Sequence, residues 1–336
     1  MDVLAYEAQK YLSKALAPTT SSLYRTAFKK FDSFCQWDRR SVLPLQEQAL
    51  IRFVTQQAHR LRYQSIRTYL SGIQFYSLAR GYPHLIAHMH KLFLVLRGIR
   101  RAQAESYTSS QKRPMTLWHI LMLFDFVEAR YSPVDAAMLR TAFSFAFYAM
   151  LRVSEYTARS SSAFDADSTL LASDVFESSS MIFIFIKKSK TDPFKIGSTI
   201  RLGPSNSRSC PVLCYSQFVT LRSGYSLPAL NRPLFSFSDG SFLSRSRLSS
   251  IIQLCFPSCL LSTHSFRIGG ASAAASAGIS DAQIQIIGRW RSDCFTRYIR
   301  ISNEDVSRYC MLMASTPSLT SSLLHGTLTP LHKVIY

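Results

Sequence analysis

The chain has 336 residues, 47% of them hydrophobic and 12% aromatic, which is enough to bury the cores of two domains of ordinary size. Lys and Arg outnumber Asp and Glu by 39 to 20, and the resulting net charge of +19 favours a polyanionic partner, nucleic acid above all. The longest apolar stretch, residues 141–151, is too short for a membrane helix, and the N-terminus lacks the pattern of a secretory signal peptide, so no membrane partner is expected.

The first part of the chain predicts a small, all-helical domain over residues 1–104. Apolar residues recur at helical spacing in four stretches, and no segment alternates at the period of a strand. The stretches are 22–37, 45–61, 65–81 and 84–102. Basic residues on the outer faces of these helices are candidate DNA contacts: Arg25, Lys29, Lys30, Arg62, Arg67, Arg97, Arg100 and Arg101.

A polar linker and two further helices are predicted next. Residues 105–114, ESYTSSQKRP, are polar and end in proline, as linkers often do. Helices are expected over 116–130 and 132–158, and the second is apolar nearly all round, which predicts a central buried helix. Arg152 is expected to close that helix, with Glu155 one turn later to hold its guanidinium in position.

A β-hairpin is predicted over residues 181–202. Ile and Phe alternate in MIFIFI, a Thr-Asp-Pro turn signal follows at 191–193, and a second strand comes after it. Lys187, Lys188 and Lys190 stand just before the turn, where the end of a strand can reach into a DNA groove. A loop is expected over 223–240, and helices are predicted for the rest of the chain after the hairpin.

The seven cysteines are interpreted as reduced thiols rather than metal ligands. Cys210 and Cys214, like Cys255 and Cys259, are four positions apart, whereas the usual zinc knuckle has a two-residue spacer. The sequence therefore predicts no metal site and no cofactor.

Residues 263–300 concentrate side chains that suit phosphate chemistry. His264 and Arg267 are three positions apart, on one helical face, and Tyr298 follows in a segment that looks helical. Arg forks can hold phosphate oxygens, a Tyr hydroxyl can act as nucleophile, and His or Lys can transfer protons. The small-residue stretch 269–278 lacks the Gly-Lys-Ser/Thr ending of a phosphate-binding loop, so it is interpreted as a surface for close helix packing.

The order of these motifs resembles that of the tyrosine recombinases of the phage-integrase family. The resemblance spans about residues 10–310. The sequence of its motifs is similar to that of recombinases of eukaryotic mobile elements such as DIRS-like retroelements and cryptons. The matching motifs are Arg152 in MLRVSEY, Lys190 in KSKTD, the THSFR box at 263–267 and the IIGRWRSDCFTRYIR box at 286–300.

The resemblance implies a mainly α fold with two domains. An N-terminal helical core-binding domain, residues 1–104, would be followed by an α+β catalytic domain, residues 115–310, that contains a small β-hairpin or sheet. Residues 311–336 would form a tail that is either disordered or docks on a neighbouring protomer. The implied partners are double-stranded DNA and further copies of the chain, as a homo-tetramer on paired DNA sites.

The resemblance also implies a role for each matching residue. Tyr298 attacks the scissile phosphate and leaves a 3′-phosphotyrosyl bond and a free 5′-hydroxyl, while Arg152 and Arg267 clamp the phosphate. Lys190 protonates the departing oxygen, and His264 handles the tyrosine proton. Because the covalent link retains the bond energy, rejoining needs neither ATP nor metal. The compartment expected is the nucleus for a eukaryotic host, and the cytoplasm or nucleoid otherwise.

The sequence departs from the family pattern directly after Gly288. The family commonly has His or Trp at the next position, but this chain has Arg289 there and Trp290 one residue later. Either Trp290 supplies the family's packing and hydrogen-bonding role from one position later, or Arg289 replaces the family residue; we favour Trp290, with Arg289 and Glu155 in supporting roles.

Two other functions stay open at this point. One is a type IB topoisomerase-like enzyme, which relaxes supercoils by the same chemistry. The other is a DNA-binding protein of the same fold that has lost catalysis. Tyr309, eleven residues after Tyr298, is the competing candidate for the nucleophile.

Overall fold

The computed structural model describes residues 3–105, 112–189, 192, 196–224, 230–301 and 303–315. The chain divides into two compact units, Met1–Ser110 and Gln111–Tyr336, and each has its own hydrophobic core. Positions 106–111 of the predicted linker, 316–336 of the predicted tail and 225–229 of the predicted loop lie outside the described residues. None of the described helices has the length and apolar character needed to cross a membrane.

The first unit is helical. Apolar faces of its second to fifth helices meet in a core around Phe31, Phe53, Ile66 and Leu92. The first helix was not predicted, and all its described side chains are exposed, large apolar ones such as Leu4 and Tyr11 included. The helices are α1 (Val3–Lys14), α2 (Pro18–Trp37), α3 (Glu47–Ala58), α4 (Tyr63–Leu78) and α5 (His90–Glu105), with a 3₁₀ turn at Ile86–His88.

The second unit is built around one buried helix. Its helices are α6 (Leu117–Glu128), α7 (Pro133–Tyr148), α8 (Val153–Tyr156), α9 (Pro211–Ser223), α10 (Arg245–Cys255), α11 (Ser265–Ser276), α12 (Asp281–Gly288) and α13 (Asn303–Ser315), with 3₁₀ turns at Ala172–Asp174 and Asp293–Arg297. Helix α7 packs against α6, α9 and α11, so nearly all its residues are buried, as its apolar sequence predicts. Its polar Ser144 and Thr141 donate hydrogen bonds to the carbonyls of Ser209 and Cys214.

The prediction of one helix over 132–158 is wrong at its C-terminal end. Helix α7 ends at Tyr148 because Met150 is left-handed, with φ 46°, and the Leu151 N–H turns back to the Ala146 carbonyl. Arg152 lies in extended backbone and precedes α8, so it begins a short helix rather than closing the buried one. Apolar periodicity continues through this cap, which is why the sequence pattern did not reveal the break.

A three-stranded antiparallel sheet, β1-β2-β3, contains the predicted hairpin. Its strands are β1 (Val175–Ser178), β2 (Met181–Ile186) and β3 (Ser198–Leu202). Ile184 pairs with both Val175 and Ile200, so one face of the sheet joins the core. Strand β1 was not predicted, because it lies in a segment interpreted as a Ser/Asp-rich loop. The hairpin and the mainly α fold class are confirmed.

Helix α11 packs so closely on its neighbours that two of its glycines leave no room for a Cβ. A Cβ on Gly269 would overlap the backbone of Met115, and one on Gly270 would overlap the carbonyl of Phe147. This is the close packing predicted for residues 269–278. It holds the first turn of α11, which contains Arg267, against the end of α7.

Gly269→Ala should lower the free energy of unfolding of the second unit by about 1–3 kcal/mol, because backbone cannot move aside as a side chain can. Chemical denaturation of the full chain measures this change. Gly203→Ala is the matched control, since a Cβ on Gly203 meets nothing within 4 Å. Equal stability of the two variants would contradict the close packing of α11.

Candidate active site

The candidate residues converge on the buried guanidinium of Arg267. Its side chain is 1% exposed, and it donates to two backbone carbonyls: from Nη1 to Met150 and from Nη2 to Gly288, the latter at 2.6 Å. Its Nε has no hydrogen-bond partner among the described residues. Arg267 therefore joins the turn after α7 to the end of α12, and no carboxylate of the described residues forms an ion pair with it.

Aromatic rings surround this guanidinium. The Arg267 Cζ lies 4.0 Å from the centroid of the Trp290 ring and 5.6 Å from that of Tyr298. Trp290 and Tyr298 have centroids 5.1 Å apart, and the His264 ring meets Tyr298 edge-on at 5.2 Å. The structure thus brings together residues from the two boxes at 263–267 and 286–300. Trp290 folds back over Gly288, where a Cβ would overlap its ring.

The position of Tyr298 depends on α11. The predicted helix before it is only a 3₁₀ turn, Asp293–Arg297. The Ser272 hydroxyl accepts from the Arg300 N–H at 2.9 Å, and it shares its single proton between the carbonyls of Ile268, at 2.8 Å, and Tyr298, at 3.2 Å. Ser272 therefore fixes the tyrosine segment to α11, a role that the small-residue stretch did not reveal.

A second cluster centres on Glu155, whose side chain is 2% exposed. Its Oε1 accepts from Arg152 Nη1 at 2.9 Å, and its Oε2 accepts from Arg289 Nη2 at 2.7 Å and from the Arg152 backbone N–H at 2.9 Å. The predicted Arg152–Glu155 contact is present, and Arg289 joins it from a position 134 residues away along the chain.

The two clusters form a buried excess of positive charge. Among the contacts of the described residues, the three guanidiniums of Arg152, Arg267 and Arg289 adjoin one carboxylate, that of Glu155. Burial first, and then the charges of Arg152 and Arg289, hold the pKa of Arg267 below its usual value. Because like charges are costly in a low-dielectric site, a bound anion would stabilise the arrangement. The geometry therefore suits anion binding beside Tyr298.

The imidazole of His264, edge-on to the Tyr298 ring, has a lowered pKa. Burial lowers its pKa, and so do nearby positive charges: those of Arg267 and Arg152, and then those of Lys112 and Arg245. The imidazole is therefore neutral at pH 7 and can act as a base. Sequence reasoning missed Lys112 and Arg245, because only tertiary packing brings them near His264.

Family models and curated protein sequences provide no match to this chain. Solved structures do. The XerH site-specific recombinase bound to a palindromic difH substrate superposes with a TM-score of 0.56, at 14% identity, over 88% of this chain and 80% of that one. A lambda integrase fragment, a dimer bound to a COC′ core site, superposes with a TM-score of 0.55 at 16% identity, over 88% of this chain and 94% of that one. The Tn1549 transposon integrase in complex with transposon right end DNA also has a TM-score of 0.55. Its identity is 12%, and the match covers 92% of this chain and 98% of that one.

The chain has the tyrosine recombinase fold. At these identities the comparisons establish the fold alone. They confirm the resemblance at that level, while the similarity to eukaryotic mobile elements stays a prediction.

The described contacts of the cluster do not include the other candidate residues. Lys190 lies outside the described residues, and Lys188 is half-buried after β2. Lys187 pairs at 2.6 Å with Asp174, which also accepts the Leu171 N–H, so this lysine is engaged within its own unit. The basic candidates of the first unit are all exposed: Arg25, Lys29, Lys30, Arg62, Arg67, Arg97, Arg100 and Arg101.

Two further sequence interpretations can be compared with the structure. Tyr309 lies on α13 with Arg308 over its ring, and the described contacts do not include it in the cluster around Tyr298. All seven cysteines are free thiols. Within the described part of the chain, no three His, Cys, Asp or Glu side chains gather as metal ligands.

His264 should titrate below 6.5, its ordinary value, because the neutral ring is favoured by burial and by its cationic neighbours. The imidazole Cε1–H resonance, assigned with His264→Gln, measures this midpoint. Since the folded-state pKa is lower than the unfolded-state value, the stabilisation from His264 is complete above pH 6.5 and is lost as the pH falls below it. A midpoint at or above 6.5 would contradict the positively charged surroundings of the ring.

Proposed function

We propose that this chain is a site-specific DNA recombinase or integrase, which cuts and rejoins DNA through a 3′-phosphotyrosyl intermediate. The observation that carries the proposal is the buried excess of guanidinium charge bordering Tyr298 and a neutral His264, within a tyrosine recombinase fold. A phosphodiester is the anion that this combination can both bind and attack.

The proposed cleavage step uses the chain's own side chains. The Tyr298 hydroxyl oxygen attacks the scissile phosphorus, its proton passes to His264, and the bond from phosphorus to the 5′-oxygen breaks. The departing oxygen takes a proton from Lys190, the general acid that the family pattern implies. Rejoining reverses these steps, with a 5′-hydroxyl attacking the phosphotyrosyl bond. The Arg charges stabilise the pentavalent transition state.

The two clamp arginines would contribute differently. Arg152 is the more accessible of the two, with 15% of its side chain exposed, so we assign it the direct contact with the phosphate. Arg267 uses two of its five N–H groups on the carbonyls of Met150 and Gly288. Its Nε–H and the second hydrogens of both Nη atoms are the groups that we assign to the phosphate.

Double-stranded DNA is the proposed partner. The net charge of +19 and the exposed basic residues of the first unit support it, and we assign that unit the role of a core-binding domain. The solved structures of similar fold include recombinases bound to DNA, and one is a dimer. A homo-tetramer on paired sites is the assembly that we propose for exchange of strands.

Loss of catalysis is the alternative that one observation favours, because Arg289 occupies the place where the family commonly has His or Trp. Under that alternative the chain binds DNA but forms no covalent adduct. A topoisomerase-like enzyme would form the adduct, but it would relax plasmids with one site as readily as plasmids with two.

Tyr298→Phe should abolish the covalent adduct while leaving folding and DNA binding intact, since it removes one oxygen and keeps the ring. The substrate is a duplex selected by its affinity for the protein and nicked beside successive phosphates, and the adduct is read on a denaturing gel in the presence of chelator. Tyr309→Phe is the matched control and should retain the adduct. An adduct that survives Tyr298→Phe would refute the assignment of the nucleophile. Absence of an adduct from the wild-type chain would favour the inactive DNA-binding protein.

Arg267→Lys should reduce the rate of adduct formation by about 100-fold or more, because it keeps the charge but loses the planar group that spans two carbonyls and the phosphate. Duplex affinity, measured by fluorescence anisotropy, should change little. A parallel loss of affinity and rate would identify Arg267 as a docking residue instead. The melting temperature of the variant separates either result from unfolding.

A further inference from the structure

Arg289 adopts a backbone conformation that non-glycine residues rarely adopt. It caps the C-terminus of α12 with φ 56° and ψ 43°, a left-handed geometry that costs a residue with a Cβ about 1–2 kcal/mol. Glycine would avoid this cost. The conformation directs the Arg289 side chain inward, where it is 9% exposed, and lets Trp290 fold over Gly288 toward Tyr298.

The Arg289 guanidinium joins three segments. Nη2 contacts Glu155 at 2.7 Å, and Nη1 donates to the carbonyls of Ala149 and Ile287, both at 3.1 Å. Ala149 precedes Arg152, and Ile287 belongs to α12. Arg289 thus fastens the end of α12, which precedes the Tyr298 segment, to the loop and short helix that position Arg152.

The contact of Arg289 with Glu155 also affects Arg152, because the two arginines share one carboxylate. The single carboxylate of Glu155 can neutralise one guanidinium, and Arg289 is the more deeply buried of its two partners. With Arg289 paired to Oε2, the Arg152 guanidinium contacts the carboxylate through Oε1. Without Arg289, both oxygens of Glu155 would be available for a bidentate pair with the Arg152 guanidinium, which would turn it away from the phosphate.

We propose that Arg289 is a positioning residue that acts through Glu155 to keep the Arg152 guanidinium directed at the phosphate, and that it does not bind the phosphate itself. The proposal rests on the function proposed above. In the Gly-Arg-Trp sequence, Trp290 then packs against Tyr298 while Arg289 positions Arg152. The departure from the family pattern is then compatible with activity.

A double-mutant cycle of Arg289→Met and Glu155→Gln tests the proposal in the full-length chain. The readouts are the rate of adduct formation on the nicked duplex, duplex affinity, and the rise in melting temperature caused by inorganic phosphate. Arg291→Met, an exposed neighbour, is the matched control. If Arg289→Met does not fold, Arg289→Lys replaces it in the cycle.

Arg289→Met should slow adduct formation by about 100-fold and abolish the phosphate-induced rise in melting temperature, with duplex affinity nearly unchanged. Arg289→Lys should recover part of both. In the Glu155→Gln background, Arg289→Met should cause little further loss, because its route of action is already gone. Arg291→Met should behave as wild type in the rate and phosphate readouts.

Additive losses in the cycle would overturn the proposal, because they would mean that Arg289 acts independently of Glu155. A loss of duplex affinity in proportion to rate would overturn it as well. If the wild-type chain forms no adduct, the proposed function fails. The phosphate readout then still decides whether Arg289 supports Arg152 through Glu155.

Discussion

The candidate site depends on one interaction, the burial of the Arg267 guanidinium between the carbonyls of Met150 and Gly288. A buried charge is costly unless polar groups surround it, so these carbonyls must be held where Arg267 can reach them. The left-handed Met150 and the close approach of α11 at Gly269 meet that requirement. The end of the buried helix, the small-residue helix and the end of α12 are therefore fixed relative to one another by the same side chain.

The electrostatics of the site follow from that geometry. Arg267 is paired with carbonyl dipoles and an aromatic ring rather than a carboxylate, while Glu155 is shared between Arg152 and Arg289. The result is a cluster with more guanidinium than carboxylate, in which His264 stays neutral. A site that is short of negative charge and bordered by a tyrosine is suited to a phosphate that supplies the missing charge and presents an atom for attack.

Much of this arrangement could be predicted from the sequence, and the parts that could not share a physical reason. Periodicity and motif order predicted a helical first unit, the β2–β3 hairpin and the grouping of His264, Arg267 and Tyr298. They did not reveal the break after Tyr148, because a left-handed cap interrupts α7 without changing its apolar pattern. Nor could they reveal the contact from Arg289 to Glu155, which depends on tertiary packing and on a backbone conformation that sequence propensity disfavours.

The central claim is that the guanidiniums beside Tyr298 form a phosphate site. Anomalous diffraction from crystals of the full chain soaked in tungstate, a tetrahedral oxyanion, tests it most directly. The account predicts a tungstate peak in contact with the guanidiniums of Arg152 and Arg267 and next to the Tyr298 hydroxyl, and no such peak in crystals of an Arg152→Gln variant. Tungstate bound only at the exposed basic residues of the first unit, or an unchanged peak in the variant, would contradict it.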